Sequence, residues 1–176
     1  MLSKIFINCI EKWRTSIKDK NYPFRTFVLS TIQDNEPKSR NVILRDFDPN
    51  KIIFTIYTDS RSKKIQNLNK SSSAQLLFYD SVNLLQVIVK AGVVNINSDL
   101  NIFNSLSEYS KRNYTSDIPP GTKIEDPASL KHGDKINFSQ ISFQAMTIEC
   151  LQLNKYQNIR CFYSAEDSWK GFYIAP

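Results

Sequence analysis

Arg40-Asn41-Val42-Ile43-Leu44-Arg45, then Tyr57-Thr58-Asp59-Ser60-Arg61-Ser62-Lys63-Lys64, then Leu85-Gln86-Val87-Ile88-Val89 are the runs on which the fold turns. Two basic clusters fall on predicted strands or strand ends, inside an otherwise apolar sheet pattern. Cations so near a core are costly unless an anion meets them. Arginine forks, lysines and hydroxyls together suit a phosphate. The segment therefore suggests a sheet built around a phosphorylated cofactor.

Working outward, residues 24–32 read as a first strand, and Asp34-Asn35-Glu36-Pro37 as a hairpin turn. Residues 39–45 form a second strand, Asp48-Pro49-Asn50 another turn, and residues 52–58 a third strand. Ser60 or Ser62 can cap a short helix running to about Asn69. Residues 74–79 and 84–96 make a further hairpin, its strand character strengthened by Val87, Val89, Val93 and Val94. Asp99 caps a helix over 99–113, and 114–133 is a loop marked by Pro119-Pro120-Gly121 and Pro127. Residues 139–153, 160–164 and 169–174 are the last strands. Upstream, Leu2, Ile5, Phe6, Cys9, Ile10, Trp13 and Ile17 recur at helical spacing, giving an amphipathic helix over 2–17. Closely spaced strands with short turns predict one mainly β domain over 1–176, an antiparallel meander closed as a barrel or sandwich with peripheral helices.

The 176 residues suffice for a real core, and 41% hydrophobic with 12% aromatic content is globular. Only 4 glycines are present, too few for a glycine-rich phosphate loop. A bound phosphate must therefore meet side chains and the amides of a strand end or helix start. The net charge of +6 fits nucleic acid, an anionic ligand or a solvated surface. The lysines and arginines are scattered, which argues against nucleic acid. Cys9, Cys150 and Cys161 lie far apart and His132 is the single histidine, so no zinc spacing exists and no metal is expected. An odd cysteine count fits a reducing compartment. With no long apolar run, the expectation is a cytoplasmic protein with no membrane segment.

Ser62, Lys63 and Lys64 open the predicted helix. Lysines there oppose the helix dipole, and a phosphate bound by the free amides removes the conflict. Simple solvation of both lysines is the alternative. Strict alternation puts Arg40 and Arg45 on opposite strand faces, so one ligand meets both only if it is long or the strand bends. Gln86 heads an apolar strand, and its carboxamide both donates and accepts, which suits the edge of a heteroaromatic ring.

Arg-x-Val-x-Leu-Arg, Tyr-Thr-x-x-x-Ser-x-Lys and Gln-Val-x-Val, in this order, resemble the pyridoxamine 5′-phosphate oxidase-like family of FMN-binding split β-barrels. The closing stretches Arg160-Cys161-Phe162-Tyr163 and Trp169-Lys170, with Ile174-Ala175-Pro176, are similar as well. The resemblance covers about residues 24–96 and 140–176. It implies an antiparallel FMN-binding split barrel assembled as a homodimer. Arg40, Ser62, Lys63 and Lys64 would hold the FMN phosphate. Asn41, Val42 and Ile43, with Tyr57 and Thr58, would line the flavin and ribityl chain. Arg45 and Gln86 would lie near the ring, with Arg45 the candidate catalytic residue. Arg160 would reach a flavin across the dimer seam. Tyr156 and Asn158 stand where the vitamin B6 oxidases carry a substrate-handling Arg-x-His pair, and Phe103 to Tyr109 lacks the expected substrate-phosphate side chains. The resemblance thus implies a flavin-dependent oxidoreductase of unknown substrate. The alternatives are a genuine pyridoxamine or pyridoxine 5′-phosphate oxidase, and a non-enzymatic flavin protein. A haem carrier is disfavoured because His132 lies in a loop.

Overall fold

The computed structural model describes residues 1–176. Helix α1 (Leu2–Lys18) is followed by strands β1 (Thr26–Gln33), β2 (Glu36–Ile43), β3 (Asp46–Asp48) and β4 (Ile53–Asp59). Helix α2 (Lys63–Lys70), strands β5 (Ser73–Asp80) and β6 (Leu85–Asn97), and the short helices α3 (Leu100–Ser105) and α4 (Glu108–Lys111) come next. Strands β7 (Phe138–Gln152), β8 (Ile159–Ser164) and β9 (Gly171–Ile174) close the order. All named strand pairings are antiparallel, in the order β2-β1-β5-β6-β7-β4-β3.

The barrel closes at Leu44. β2 pairs with β1 at one end of the sheet, whereas β3, three residues on, pairs with β4 at the other. Backbone bonds from Leu44 N–H to Arg25 O and from Arg45 N–H to Thr55 O, both 2.8 Å, stitch the ends together. Strand β7 produces the split. Its first half pairs with β4, its second half with β8, and β9 extends from β8.

Alternation fills the interior with Leu29, Phe54, Ile56, Leu76, Val87, Val89, Ile141, Phe143 and Ile148, all fully buried. Helix α1 lays Cys9 and Trp13 on this core. The Trp13 ring sits 4.9–6.2 Å from Phe24, Phe47, Phe54 and Phe78. Its place on the apolar face of the amphipathic helix accounts for this packing. The buried pair Lys12–Asp80 (2.7 Å) pins α1 to the β5–β6 turn.

The structure corrects several boundaries. Phe24 and Arg25 belong to a single helical turn, not to β1. Asp34 and Asn35 alone make the hairpin, both at positive φ (49° and 63°), so Glu36 and Pro37 already lie in β2. Proline is tolerated there because that strand stands at the end of the pairing order. β2 ends at Ile43, so the alternation expected to run from Arg40 to Arg45 breaks, and β3 follows where only a turn was expected. The 99–113 helix divides at Leu106-Ser107, because Ser107 accepts from Ser110 N–H and starts its own helix. Asp99 caps α3 as expected, accepting from Asn101 N–H. Trp169 lies in the β8–β9 turn at φ 63°, outside β9. No helix is long and apolar enough to cross a membrane.

Candidate functional site

The start of α2 is chemically open. Ser62 holds the N-cap position, but its hydroxyl makes no capping bond and lies 3.2 Å from Thr58 Oγ1 instead. The amides of the first turn therefore have no side-chain acceptor. Lys64 Nζ donates to Thr58 Oγ1 at 2.7 Å. Arg40, on the inward side of β2, donates to Thr31 Oγ1 at 2.8 Å and to Leu29 O at 3.3 Å. Asn67, one turn along α2 from Lys64, donates to the same Thr31 hydroxyl at 3.2 Å.

Arg40, Lys64, Thr58, Ser62, Thr31 and Asn67 thus form one polar cluster at the barrel's edge. Burial lowers the Lys64 pKa below its ordinary value, and the nearby Arg40 charge lowers it further. Burial also lowers that of Arg40. Neither cation has a carboxylate within ion-pairing distance. Two half-buried positive charges, three hydroxyls and free helix amides have the chemistry that an anion such as a phosphate requires. Lys63 does not join it: that side chain is exposed and unbonded.

Tyr57, the next residue of β4, faces the other way. Arg45 sits 5.6 Å over its ring, and Phe138 packs edge-on at 5.1 Å. Tyr114 is buried against Phe138 with its hydroxyl toward Arg45. Burial raises the pKa of both tyrosines, and the Arg45 charge opposes that rise. Arg25 approaches Arg45 closely enough that, after burial, the like charge further lowers its own pKa.

The remaining expected residues lie apart. Asn41 and Ile43 are exposed on β2, and Val42 is half-buried, paired with Phe27. Gln86 pairs with Leu151, and Leu151 with Arg160, so all three share one cross-strand row on the outer face. Arg160 is bound through Nε and Nη2 to Glu149 Oε1, at 3.0 and 2.7 Å. Arg40 pairs with fully buried Leu29 and lies on the inner side of the sheet, whereas Gln86 pairs with half-exposed Tyr79 on the outer face. One chain therefore holds Gln86 and Arg160 on the opposite face from the Arg40–Lys64 cluster.

Thr31, Asn67, Arg25 and Tyr114 were not legible as site residues. Only Asn67 carried a signal, its i, i+3 spacing from Lys64. The best-formed cavities also lie elsewhere. One of about 640 Å³ separates the start of α1 from the β8–β9 turn, lined by Phe6, Tyr163 and Trp169. Another of about 310 Å³ adjoins Arg160, Asn158 and Tyr173. The first offers mostly apolar walls and no convergent charge, so chemistry favours the cation cluster.

Comparison with known proteins gives the same direction. The family model described as pyridoxamine 5′-phosphate oxidase, FMN-binding domain, matches residues 6–96. The chloroplastic pyridoxine/pyridoxamine 5′-phosphate oxidase 1 of Arabidopsis thaliana is 33% identical over 144 residues, 82% of this chain. The match covers 24% of that protein, so the chain spans about a quarter of its length. A pyridoxamine 5′-phosphate oxidase-related FMN-binding protein of Nostoc punctiforme superposes with a TM-score of 0.78 at 17% identity, over 96% of each chain. PhzG of Burkholderia lata, solved with tetrahydrophenazine-1-carboxylic acid, gives 0.75 at 15% identity, over 97% of this chain and 92% of its own. At such identities the superpositions establish a shared split-barrel fold.

Proposed function

The chain belongs to the pyridoxamine 5′-phosphate oxidase FMN-binding-domain family, and from that premise we propose that it is an FMN-dependent oxidoreductase working as a homodimer. The observation that carries this reading is the Arg40–Lys64 pair, two half-buried cations with no carboxylate partner. The residues fit the cofactor's phosphate in charge, donor count and exposure. Arg40, Lys64, Ser62, Thr58 and the amides of Lys63 and Lys64 hold it. The backbone of Asn41, Val42 and Ile43 carries the ribityl side, and Arg45 and Tyr57 stand at the ring side. FMN, when bound, supplies the electron-transfer chemistry. Arg45 would then contribute a fixed positive charge, and Tyr57 and Tyr114, whose pKa values burial raises further above neutrality, would contribute hydroxyls.

The separation of Gln86 and Arg160 from the cluster supports the dimer. A second copy supplies what one chain holds out of reach. The outer face around them has the needed apolar character: Tyr79, Phe172 and Met146 are each about half exposed. A site completed by a second copy also does not form an enclosed cavity in one chain.

Purified protein incubated with FMN tests the reading through its flavin absorption and a fluorescence titration. FMN is expected to bind in a dimer, and FAD more weakly, because no residues are set aside for an adenylate. No binding of FMN, or full binding by a monomer in sedimentation, refutes it.

The Arabidopsis relative favours a second reading, oxidation of pyridoxine or pyridoxamine 5′-phosphate. Against it, Tyr156 is 91% exposed and Asn158 is turned back to accept from Asn154 N–H. Neither side chain is positively charged. Turnover of pyridoxamine 5′-phosphate by FMN-loaded protein decides between the two.

A further inference from the structure

Arg61 immediately precedes the α2 cap, yet it takes no part in the cation cluster. Its guanidinium binds Asp59 in a fork, Nε to Oδ1 at 3.0 Å and Nη2 to Oδ2 at 2.7 Å. The same guanidinium also donates to three consecutive carbonyls of a distant segment: Ser116 O at 2.9 Å, Asp117 O at 3.3 Å and Ile118 O at 3.5 Å. Asn137 Nδ2 reaches the Ser116 carbonyl from the other side, at 3.4 Å.

Those carbonyls open an arm, residues 115–132, that folds on itself through Asp117 N–H to Lys131 O and Gly133 N–H to Thr115 O. The arm buries almost nothing: residues 119–136 are exposed except for Ile124, which is half-buried. Apolar packing therefore does not hold it down. Arg61 does, over a cavity of about 190 Å³ lined by Asp59, Ile118, Pro119 and Leu130. The arm's root is Tyr114, whose hydroxyl faces Arg45. The guanidinium thus adds to the backbone bonds from Ser60 N–H to Asn137 O (2.8 Å) and from Asn137 N–H to Tyr114 O (2.7 Å) in tying the turn that opens α2 to the segment that carries Tyr114.

We propose that Arg61 is a positioning residue that latches the 115–132 arm to the opening turn of α2, so that docking of the arm and anion binding at Arg40 and Lys64 are coupled. A docked arm holds Asp59, Arg61 and Ser62 in the conformation that presents the α2 amides. An occupied phosphate site holds the same turn and thereby keeps the arm docked. The coupling is reciprocal, as any linkage between two sites must be. Its cofactor half rests on the FMN reading above; the latch itself does not.

The test is Arg61→Lys, which preserves the charge beside buried Asp59 but cannot fork onto the carbonyls. Hydrogen exchange is followed with and without FMN, together with the FMN dissociation rate. Without FMN, amides of 115–132 are expected to exchange faster in Arg61→Lys while the barrel strands exchange as before. A merely structural role would speed exchange throughout. In the unaltered protein FMN should slow exchange in the arm, and in Arg61→Lys it should not. FMN should leave the variant about fivefold faster or more, the lower end of ordinary site-to-site coupling. If Arg61→Lys unfolds, Asp59→Asn with Arg61→Gln removes the ion pair without stranding a charge, and the same loosening is expected. Unchanged arm exchange overturns the proposal, as does a loosened arm with an unchanged FMN dissociation rate. Absence of FMN binding to the unaltered protein overturns the functional reading instead, and the unliganded exchange comparison still decides the latch.

Discussion

Replacing Lys64 with Met should make the unliganded protein more stable and its FMN complex weaker. The ammonium sits half-buried beside Thr58, and both burial and Arg40 hold its pKa below 10.5. A lysine whose folded pKa lies below its unfolded value is protonated at a cost to the fold at neutral pH. Stability from this group rises as pH climbs through the depressed folded pKa toward the ordinary one. Met keeps the stem's packing, and Thr58 keeps Ser62 as a partner at 3.2 Å, so the charge alone is removed. With a phosphate present the sign inverts. One charge-assisted hydrogen bond contributes about 1.5–3 kcal/mol, so losing it should raise the FMN Kd roughly 10- to 150-fold. FMN affinity of the unaltered protein should fall as pH rises through the depressed Lys64 pKa, and Lys64→Met should flatten that fall. Fluorescence titration across pH, with thermal melts of the flavin-free proteins, gives both quantities. A variant that holds FMN within about twofold of the unaltered protein, or melts lower without FMN, refutes the reasoning.

Asp80 is fully buried; burial alone would raise its pKa, but Lys12 and the donors of Asn83 bring it down to about 2. The stability this gives is complete above the ordinary value near 4 and should be lost as pH falls through 2, measurable as urea unfolding free energy from pH 6 to pH 2. Lys12→Met strands the buried carboxylate, should cost about 3–5 kcal/mol and should move the acid loss to higher pH; an unchanged urea midpoint would contradict this. Gly171→Ala drives a Cβ into the Tyr163 ring, which is 1% exposed and whose hydroxyl donates to Leu2 O at 2.9 Å. A loss of about 1–3 kcal/mol is expected from this overpacking, again by urea unfolding, and wild-type stability would show that the ring moves freely.

What the sequence disclosed follows from the range of the forces involved. Alternation along β1, β4, β5 and β6 is a one-strand property, so those strands were readable. The clustering of Arg40, Thr58, Ser62 and Lys64 was readable because they are strand and helix-start residues whose directions are fixed locally. Long-range bonds were not readable. Nothing near Leu44 says that its N–H will meet Arg25, and that bond bends the chain so that Arg45 joins Tyr57 and Tyr114 instead of facing away from Arg40 on one strand. Arg61 was hidden for the same reason, since three of its acceptors lie 55–57 positions away.

Gln86 and Arg160 depend on the same long-range placement. Their family motif implies one flavin, and the fold sets them on the outer face of the sheet, opposite the inward side that carries Arg40. The proposed homodimer, with each site shared by two chains, reconciles the two. Arg160 then has a choice of anion. In one chain it is occupied by Glu149, a pair whose side chains are 35% and 22% exposed and that contributes on the order of 1 kcal/mol. So weak a pair leaves the guanidinium available to a cofactor arriving from the second copy, whereas the Arg61–Asp59 fork, with its carboxylate only 4% exposed, does not release its arginine. The two arginines have the same chemistry, and on the proposed reading their burial leaves Arg160 to serve a ligand and Arg61 to hold the fold.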